Sequence, residues 1–423
     1  VSQKPESTSS VSIFITMRIA FLANRYLDPD DPKSWSGLPY FMRRSLESAG
    51  VETIVLRPEE DHQTQRWARF LYWRWLRGKR YLRNCDPAQL QRHARQYERQ
   101  LAALSVDIVF SPSTWPLAYL RTEVPMVFWT DACFAGILGF YDSFADVAPP
   151  SLAAGDEIER QALRRCAAGV YCSEWAARTA RNHYGVHPSK LHVVPFGGNF
   201  DPPPAVTEVA AAVQHRPESP LHLLLVGVDW KRKGADVAVE TVEALNAAGT
   251  PAHLTVVGCH PPSGHDALPA SVEIIPFLGK DNAADSQRLR ELFERSHFFI
   301  MPSRAEAFGI VYAEASAFGV PCLATNVGGL NSVVIENVNG QLFPLEARGA
   351  EYAAYIREIM ADPLRYRELA LRSAREGAER LSWKVSGEKM VAIFRDLAPA
   401  AEETASETRA PLNTIPFPAA VKA

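Results

Sequence analysis

The 423-residue chain has no excess of charge of either sign: 45 Lys and Arg stand against 48 Asp and Glu, a formal net charge of -3. A dedicated nucleic-acid binder carries a strong basic surplus, so nucleic acid is excluded as the expected partner. The balance still leaves room for a locally basic cleft. Cysteine is sparse and unpatterned. The six residues Cys85, Cys133, Cys166, Cys172, Cys259 and Cys322 contain no Cys-x-x-Cys pair, which fits neither a zinc site nor a disulfide framework. They read as reduced, buried thiols. No apolar run reaches the ~18 residues of a membrane span. The best candidate, 11–23, carries Arg18 in its middle and lacks a small-residue cleavage site, which argues against a signal peptide. The cytoplasm is therefore the expected compartment. No Gly-x-Ser-x-Gly elbow or Gly-x-Gly-x-x-Gly fingerprint stands where hydrolase or dehydrogenase chemistry would need one.

What the chain does have is a globular composition, 47% hydrophobic and 22% charged, over a length too great for one core. Residues 1–16 are Ser- and Thr-rich and read as a disordered prefix, with Met17 as an alternative first residue. From 398 to 423 the sequence is Ala-, Pro- and Glu-rich without periodicity, and reads as a disordered tail. Between them, short apolar runs alternate with helical patterns, the sign of an α/β protein with parallel sheets. Strands are expected at 18–23, 53–56, 108–110, 126–128, 170–172 and 191–195. After the break Asp201-Pro202-Pro203-Pro204 they resume at 221–226, 254–257, 271–276, 298–301 and 321–324. The pattern predicts two doubly wound units, 17–203 and 204–382. A last helix, about 383–397, is expected to return to the first.

Two segments carry the chemistry. In Glu306-Ala307-Phe308-Gly309-Ile310-Val311-Tyr312-Ala313-Glu314, Gly309 sits where a loop after a buried strand feeds a helix. Free amides and the positive dipole end make such a start a seat for a diphosphate. Glu314, roughly 7–8 Å further along the helix, is placed to hold ribose hydroxyls, and Glu306, before the helix, to reach a sugar. The second segment, Gly227-Val228-Asp229-Trp230-Lys231-Arg232-Lys233-Gly234, puts three cations at the carboxyl edge of a strand. Such a run is ordinarily solvated surface. Beside the Glu306 segment it reads instead as the counter-charge of a departing diphosphate, stabilised without a metal.

Together these segments resemble the retaining family 4 glycosyltransferases of the GT-B fold, whose hallmark is Glu-x7-Glu enclosing Phe-Gly. Trp35-Ser36-Gly37-Leu38-Pro39, Ser173-Glu174-Trp175, Val194-Pro195-Phe196-Gly197-Gly198-Asn199 and Gly328-Gly329 agree, so the likeness spans 17–396. It implies two Rossmann-like domains facing each other across a cleft. It also implies a UDP- or GDP-type sugar donor, a glycan or lipid-linked acceptor, and no metal or other cofactor. By the same resemblance Glu306 contacts the donor sugar and Glu314 the ribose, Phe308, Gly309 and Ile310 offer backbone to phosphate, and Arg232 and Lys233 clamp it. Gly37 approaches the phosphates across the cleft and Leu278 lies near the base. Two positions depart from the family. Val228 replaces an Arg, leaving Arg232 to supply that charge, and Trp129-Thr130-Asp131 replaces a His, with Asp131 as the substitute contact to sugar or acceptor.

Three further features carry site-like composition. Asp28-Pro29-Asp30 has a metal-binding Asp-x-Asp spacing but lies in a Pro-rich turn. His260 and His265 fall in a Pro-Gly loop without a third ligand. The stretch 66–83 interleaves six aromatics with seven Arg or Lys. As an amphipathic helix it would either pack its aromatics on the first unit or rest on an anionic membrane surface at the inner face. The alternatives to a transferase are a GT-B epimerase or phosphorylase, and a non-catalytic sugar-nucleotide-binding protein.

Overall fold

The computed structural model describes residues 17–59, 70–262 and 268–398. The prefix 1–16, the start of the aromatic stretch (66–69), His265 and the tail from 399 lie outside them.

The first sheet comprises β1 (Arg18–Leu22), β2 (Glu52–Leu56), β3 (Ile108–Ser111), β4 (Met126–Thr130), β5 (Ala168–Tyr171) and β6 (Leu191–Val193), all parallel, in the order β2-β1-β3-β4-β5-β6. The second comprises β7 (Leu221–Val226), β8 (Ala252–Val257), β9 (Val272–Ile275), β10 (Phe298–Met301), β11 (Cys322–Thr325) and β12 (Gly340–Phe343), ordered β12-β11-β10-β7-β8-β9 and also parallel. Parallel sheets need cover on both faces. Central strands such as β3, β4 and β10 are accordingly buried at every position, whereas the edge strands β2 and β9 are only partly covered. Among the described residues, the one strand that the apolar runs do not predict is β12. Its Gly-Gln-Leu-Phe is a short edge run with no alternation to mark it.

The covering helices are α1 (Leu38–Ser48), α2 (Pro87–Leu101), α3 (Pro149–Arg165) and α4 (Glu174–Tyr184) on the first sheet. On the second they are α5 (Val206–His215), α6 (Ala235–Ala247), α7 (Ala283–Arg295), α8 (Ile310–Ala317), α9 (Gly349–Met360) and α10 (Pro363–Glu379). Starts follow capping chemistry. Asp86, Ser173, Asn282 and Asp362 each accept a hydrogen bond from an amide in the first turn that follows. The final helix, α11 (Trp383–Leu397), lies against α1, where a Cβ on Gly387 would stand 2.4 Å from the Ser45 carbonyl oxygen. Its Phe394 ring meets Phe110 of the first sheet at 5.9 Å.

Asn199 joins the two halves. Its Nδ2 donates to the Ser36 carbonyl (2.8 Å), its Oδ1 accepts from Trp383 Nε1 (2.9 Å), and its backbone amide donates to Glu314 Oε1 (3.2 Å). Over the described part of 66–83 there is no single amphipathic helix. One wide helical turn spans Tyr72–Leu76, Gly78 takes φ +62°, and the Arg80 backbone then pairs with Asp146 and Ala148. A left-handed residue followed by strand-like pairing ends a helix. Trp75 is 78% exposed, Leu71 and Tyr72 are also exposed, and Trp73 is half-buried.

Candidate functional site

Strands β7 and β10 are the neighbours between which the order of the second sheet reverses. In an open parallel sheet, loops leaving such a point diverge and open a crevice at the carboxyl edge. The loop after β7 is turned by Asp229: its Oδ1 accepts from the Arg232 amide (2.9 Å) and its carbonyl from the Lys233 amide (2.9 Å). That turn sorts the basic run. Lys231 faces solvent, while Arg232 and Lys233 fold inward onto Glu306. Arg232 Nη1 stands 3.5 Å from Glu306 Oε2, and Lys233 Nζ is hydrogen-bonded to the same oxygen. Gly227 gives Lys233 its path, since a Cβ there would sit 2.8 Å from Lys233 Cγ.

The loop after β10 delivers the other half. Glu306 is 8% exposed, and its carbonyl accepts from the Gly329 amide at 3.1 Å. Gly309 caps α8 with φ +77°, where a side chain would meet the Tyr312 ring at 2.6 Å and Glu306 Cγ at 3.0 Å. The position therefore requires glycine. Gly309, Ile310 and Val311, whose amides precede the first helical acceptors, line a cleft of about 780 Å³ between the two sheets.

The opposite wall comes from the first sheet. Trp35 and Ser36 follow β1, Ser113 and Thr114 follow β3, Asp131 follows β4, and Tyr141 lies in the next loop. Burial first, and the Glu306 charge after it, push the half-buried Asp131 carboxyl up to about 6. Two carboxylates thus face one another across the cleft. Tyr141, which the sequence reading passed over, crosses it: its hydroxyl accepts from the Ala307 amide at 2.7 Å, and its ring lies 5.6 Å from the Arg232 guanidinium. Nothing near Gly139-Phe140-Tyr141 in the sequence signals this contact, because its partner is 166 positions away.

Of the residues singled out from sequence, Asp131, Arg232, Lys233, Glu306, Gly309 and Ile310 line the cleft together. Val228, standing where the family has Arg, lines it too and is 65% exposed. Four others are not among the lining residues. Gly37 (φ +83°) ends a left-handed run with Trp35 and Ser36 and caps α1. Phe308 packs its ring on Phe196 at 5.3 Å, and Leu278 is almost wholly covered in the loop that follows β9. Glu314 is 1% exposed, held by the Asn199 amide and ion-paired with Lys280, a cation missed from sequence. Asp28 and Asp30 are occupied by Arg57, and Asp30 also by Arg43. Among the described residues, no three His, Cys, Asp or Glu side chains converge as a metal site.

Comparison with known proteins agrees with this architecture. A model described as Glycosyltransferase Family 4 matches residues 40–200, and one described as Glycosyl transferases group 1 matches 207–379. Curated relatives include D-inositol 3-phosphate glycosyltransferases of Nocardiopsis dassonvillei (28% identical, 60% of this chain and 63% of that one) and Geodermatophilus obscurus (32%, 57% and 55%). The chain thus spans less than two thirds of the length of these relatives. Among solved structures, sucrose-phosphate synthase from Thermosynechococcus elongatus superposes with TM-score 0.63 at 18% identity, over 90% of this chain and 99% of that one. Anabaena Alr3699/HepE, solved in complex with UDP and glucose, gives 0.56 at 15%, with 90% and 99% covered. At these identities the superpositions establish the shared two-domain fold.

Proposed function

The chain belongs to the group 1 glycosyltransferases of the GT-B fold, and on that premise we propose that it moves a glycosyl group from a nucleoside diphosphate sugar to an acceptor hydroxyl. One observation carries the reading: at the switch point of the second sheet, Arg232 and Lys233 converge on Glu306 beside the first amides of α8. The diphosphate docks at the start of α8, with Gly309 and Ile310 as backbone donors. Arg232 and Lys233 neutralise the charge that grows as the bond to the sugar breaks. These groups supply the charge that a metal supplies elsewhere, so the reaction is proposed to be metal-independent.

In this reading Glu306 accepts hydroxyls of the donor sugar and Glu314 those of the ribose, once Lys280 gives way. Asp131 accepts a hydrogen bond from the transferring sugar or the acceptor. Gly37 and Leu278 shape the phosphate and base ends. Transfer is proposed to retain the anomeric configuration by a front-face route, in which the departing phosphate takes the acceptor proton. The Tyr141 bond to Ala307 supports closure of the cleft during transfer, which limits hydrolysis.

A ligand that binds only the folded chain raises its stability, by about 2.7 kcal/mol at a hundredfold excess over Kd. In a screen of UDP, GDP, ADP and dTDP sugars, one nucleotide class is expected to raise Tm by several degrees. A flat response to all four sinks the donor reading, and product analysis separates transfer from epimerisation or phosphorolysis.

The exposed Trp75, Tyr72 and Leu71, with Arg74 and Arg77 solvent-facing beside them, favour contact with an anionic bilayer that presents a lipid-linked acceptor at the inner face of the membrane. Among the described residues no helix is long and apolar enough to cross a membrane. Sedimentation with phosphatidylglycerol vesicles is expected, and Trp75→Ala should abolish it. Equal recovery with zwitterionic phosphatidylcholine vesicles would refute the role of anionic lipid, and no recovery with either would refute the contact.

A further inference from the structure

The two walls of the cleft differ in charge. On the second-sheet wall Arg232 and Lys233 offset Asp229 and Glu306, while the described residues of the first-sheet wall include Asp131, Asp142 and Glu159 and no Lys, Arg or His. Glu159 is the informative member. It projects from α3 and is 1% exposed, yet it lines the cleft. Its Oε2 accepts from the Thr114 hydroxyl at 2.7 Å, which fixes the carboxyl group. Its Oε1 is buried without a hydrogen-bond partner of normal geometry, while the Phe134 amide and the Cys133 thiol both act on the carboxyl and favour its ionised form.

A purely structural duty, tying α3 to the loop after β3, is met by the Thr114 bond alone and leaves the second oxygen unexplained. A buried oxygen of this kind is costly to keep unless a ligand or water supplies the missing donor. Burial pushes the carboxyl up to about 7, so near neutrality both its protonated and ionised forms are populated. Either form can exchange hydrogen bonds with a hydroxyl. A phosphate group, by contrast, would meet Asp131, Glu159 and the more exposed Asp142 with no described cation on that wall to offset them.

We propose that Glu159 binds the acceptor, and that the receiving end of the acceptor, whether free or carried on a lipid, is an uncharged, polyhydroxylated group, a saccharide or polyol without phosphate, whose hydroxyl donates to Glu159 Oε1. The proposal rests on the transferase reading and narrows it. It separates this chain from relatives whose names specify an inositol phosphate.

Paired probes that differ only by a phosphate test it: myo-inositol against inositol 3-phosphate, and glucose against glucose 6-phosphate. Their binding to the full chain is measured by calorimetry, with and without a nucleoside diphosphate. The uncharged member of at least one pair should bind ten-fold or more tightly than its phosphorylated partner. Glu159→Gln, close to isosteric, should weaken that binding at least five-fold and leave nucleotide affinity unchanged. Thr114→Val, which frees the carboxyl to rotate, should act in the same direction. Equal or tighter binding of the phosphorylated members overturns the proposal. So does an unaltered affinity in Glu159→Gln, or binding of neither member of any pair. Failure of every nucleotide to bind counts against the donor reading alone, because the pairs are also measured without nucleotide.

Discussion

Lys233→Ala is expected to lower the turnover of glycosyl transfer by roughly 10²–10³, the usual cost of removing one preorganised donor to a developing negative charge, about 2.7–4 kcal/mol. The size follows from how the side chain is held. Its stem lies across Gly227, only 11% of the side chain is exposed, and its ammonium group is fixed against Glu306. The ammonium group is therefore already held at the cleft wall when the leaving diphosphate gathers charge, and it has only to exchange one oxygen partner for another. Lys233→Arg should restore little, because a planar fork does not fit a path shaped for an unbranched stem. The control is Lys231→Ala. That residue belongs to the same basic run but is solvent-facing, and a near-normal rate is expected. Steady-state kinetics on the three variants decide the matter. Equal losses at 231 and 233 would mean that the run acts only through diffuse surface charge.

That contrast marks how much the sequence discloses. The alternation of apolar runs and the glycine ahead of α8 place the loops after β7 and β10 at a carboxyl edge, because both signals are local. A basic tripeptide, however, does not say which of its cations turns inward. Asp229 decides it, by accepting the amides of Arg232 and Lys233. Glu159 was similarly hidden. In the sequence it is one acidic residue in a helix rich in charge, and only the fold sets it beside Thr114, 45 positions away. Asn199 was visible as part of a motif, but its three bonds to Ser36, Glu314 and Trp383 span 115 to 184 positions. The aromatic stretch after 66 misled in the opposite way. Its composition suggests one amphipathic helix, whereas Gly78 and the pairing of Arg80 with 146–148 end the helical turn early.

Glu306→Gln should separate binding from chemistry. Glu306 is the common partner of Arg232 and Lys233, so in the empty cleft it competes with a diphosphate for both cations. Replacing the carboxylate by an amide removes that competition, and nucleoside diphosphate affinity should hold or tighten. The same change removes a charge-assisted acceptor for the sugar, whose hydroxyls must be positioned while the ring takes on positive character. Turnover is expected to fall about a hundredfold, within the range for losing one electrostatic contact made in the transition state. Asp131 offers an internal check. Part of what raises its carboxyl to about 6 is the Glu306 charge, so in the variant it should ionise at lower pH. A rise in donor KM with unchanged turnover would place Glu306 in ground-state binding instead. Near-normal transfer would remove it from the sugar site altogether.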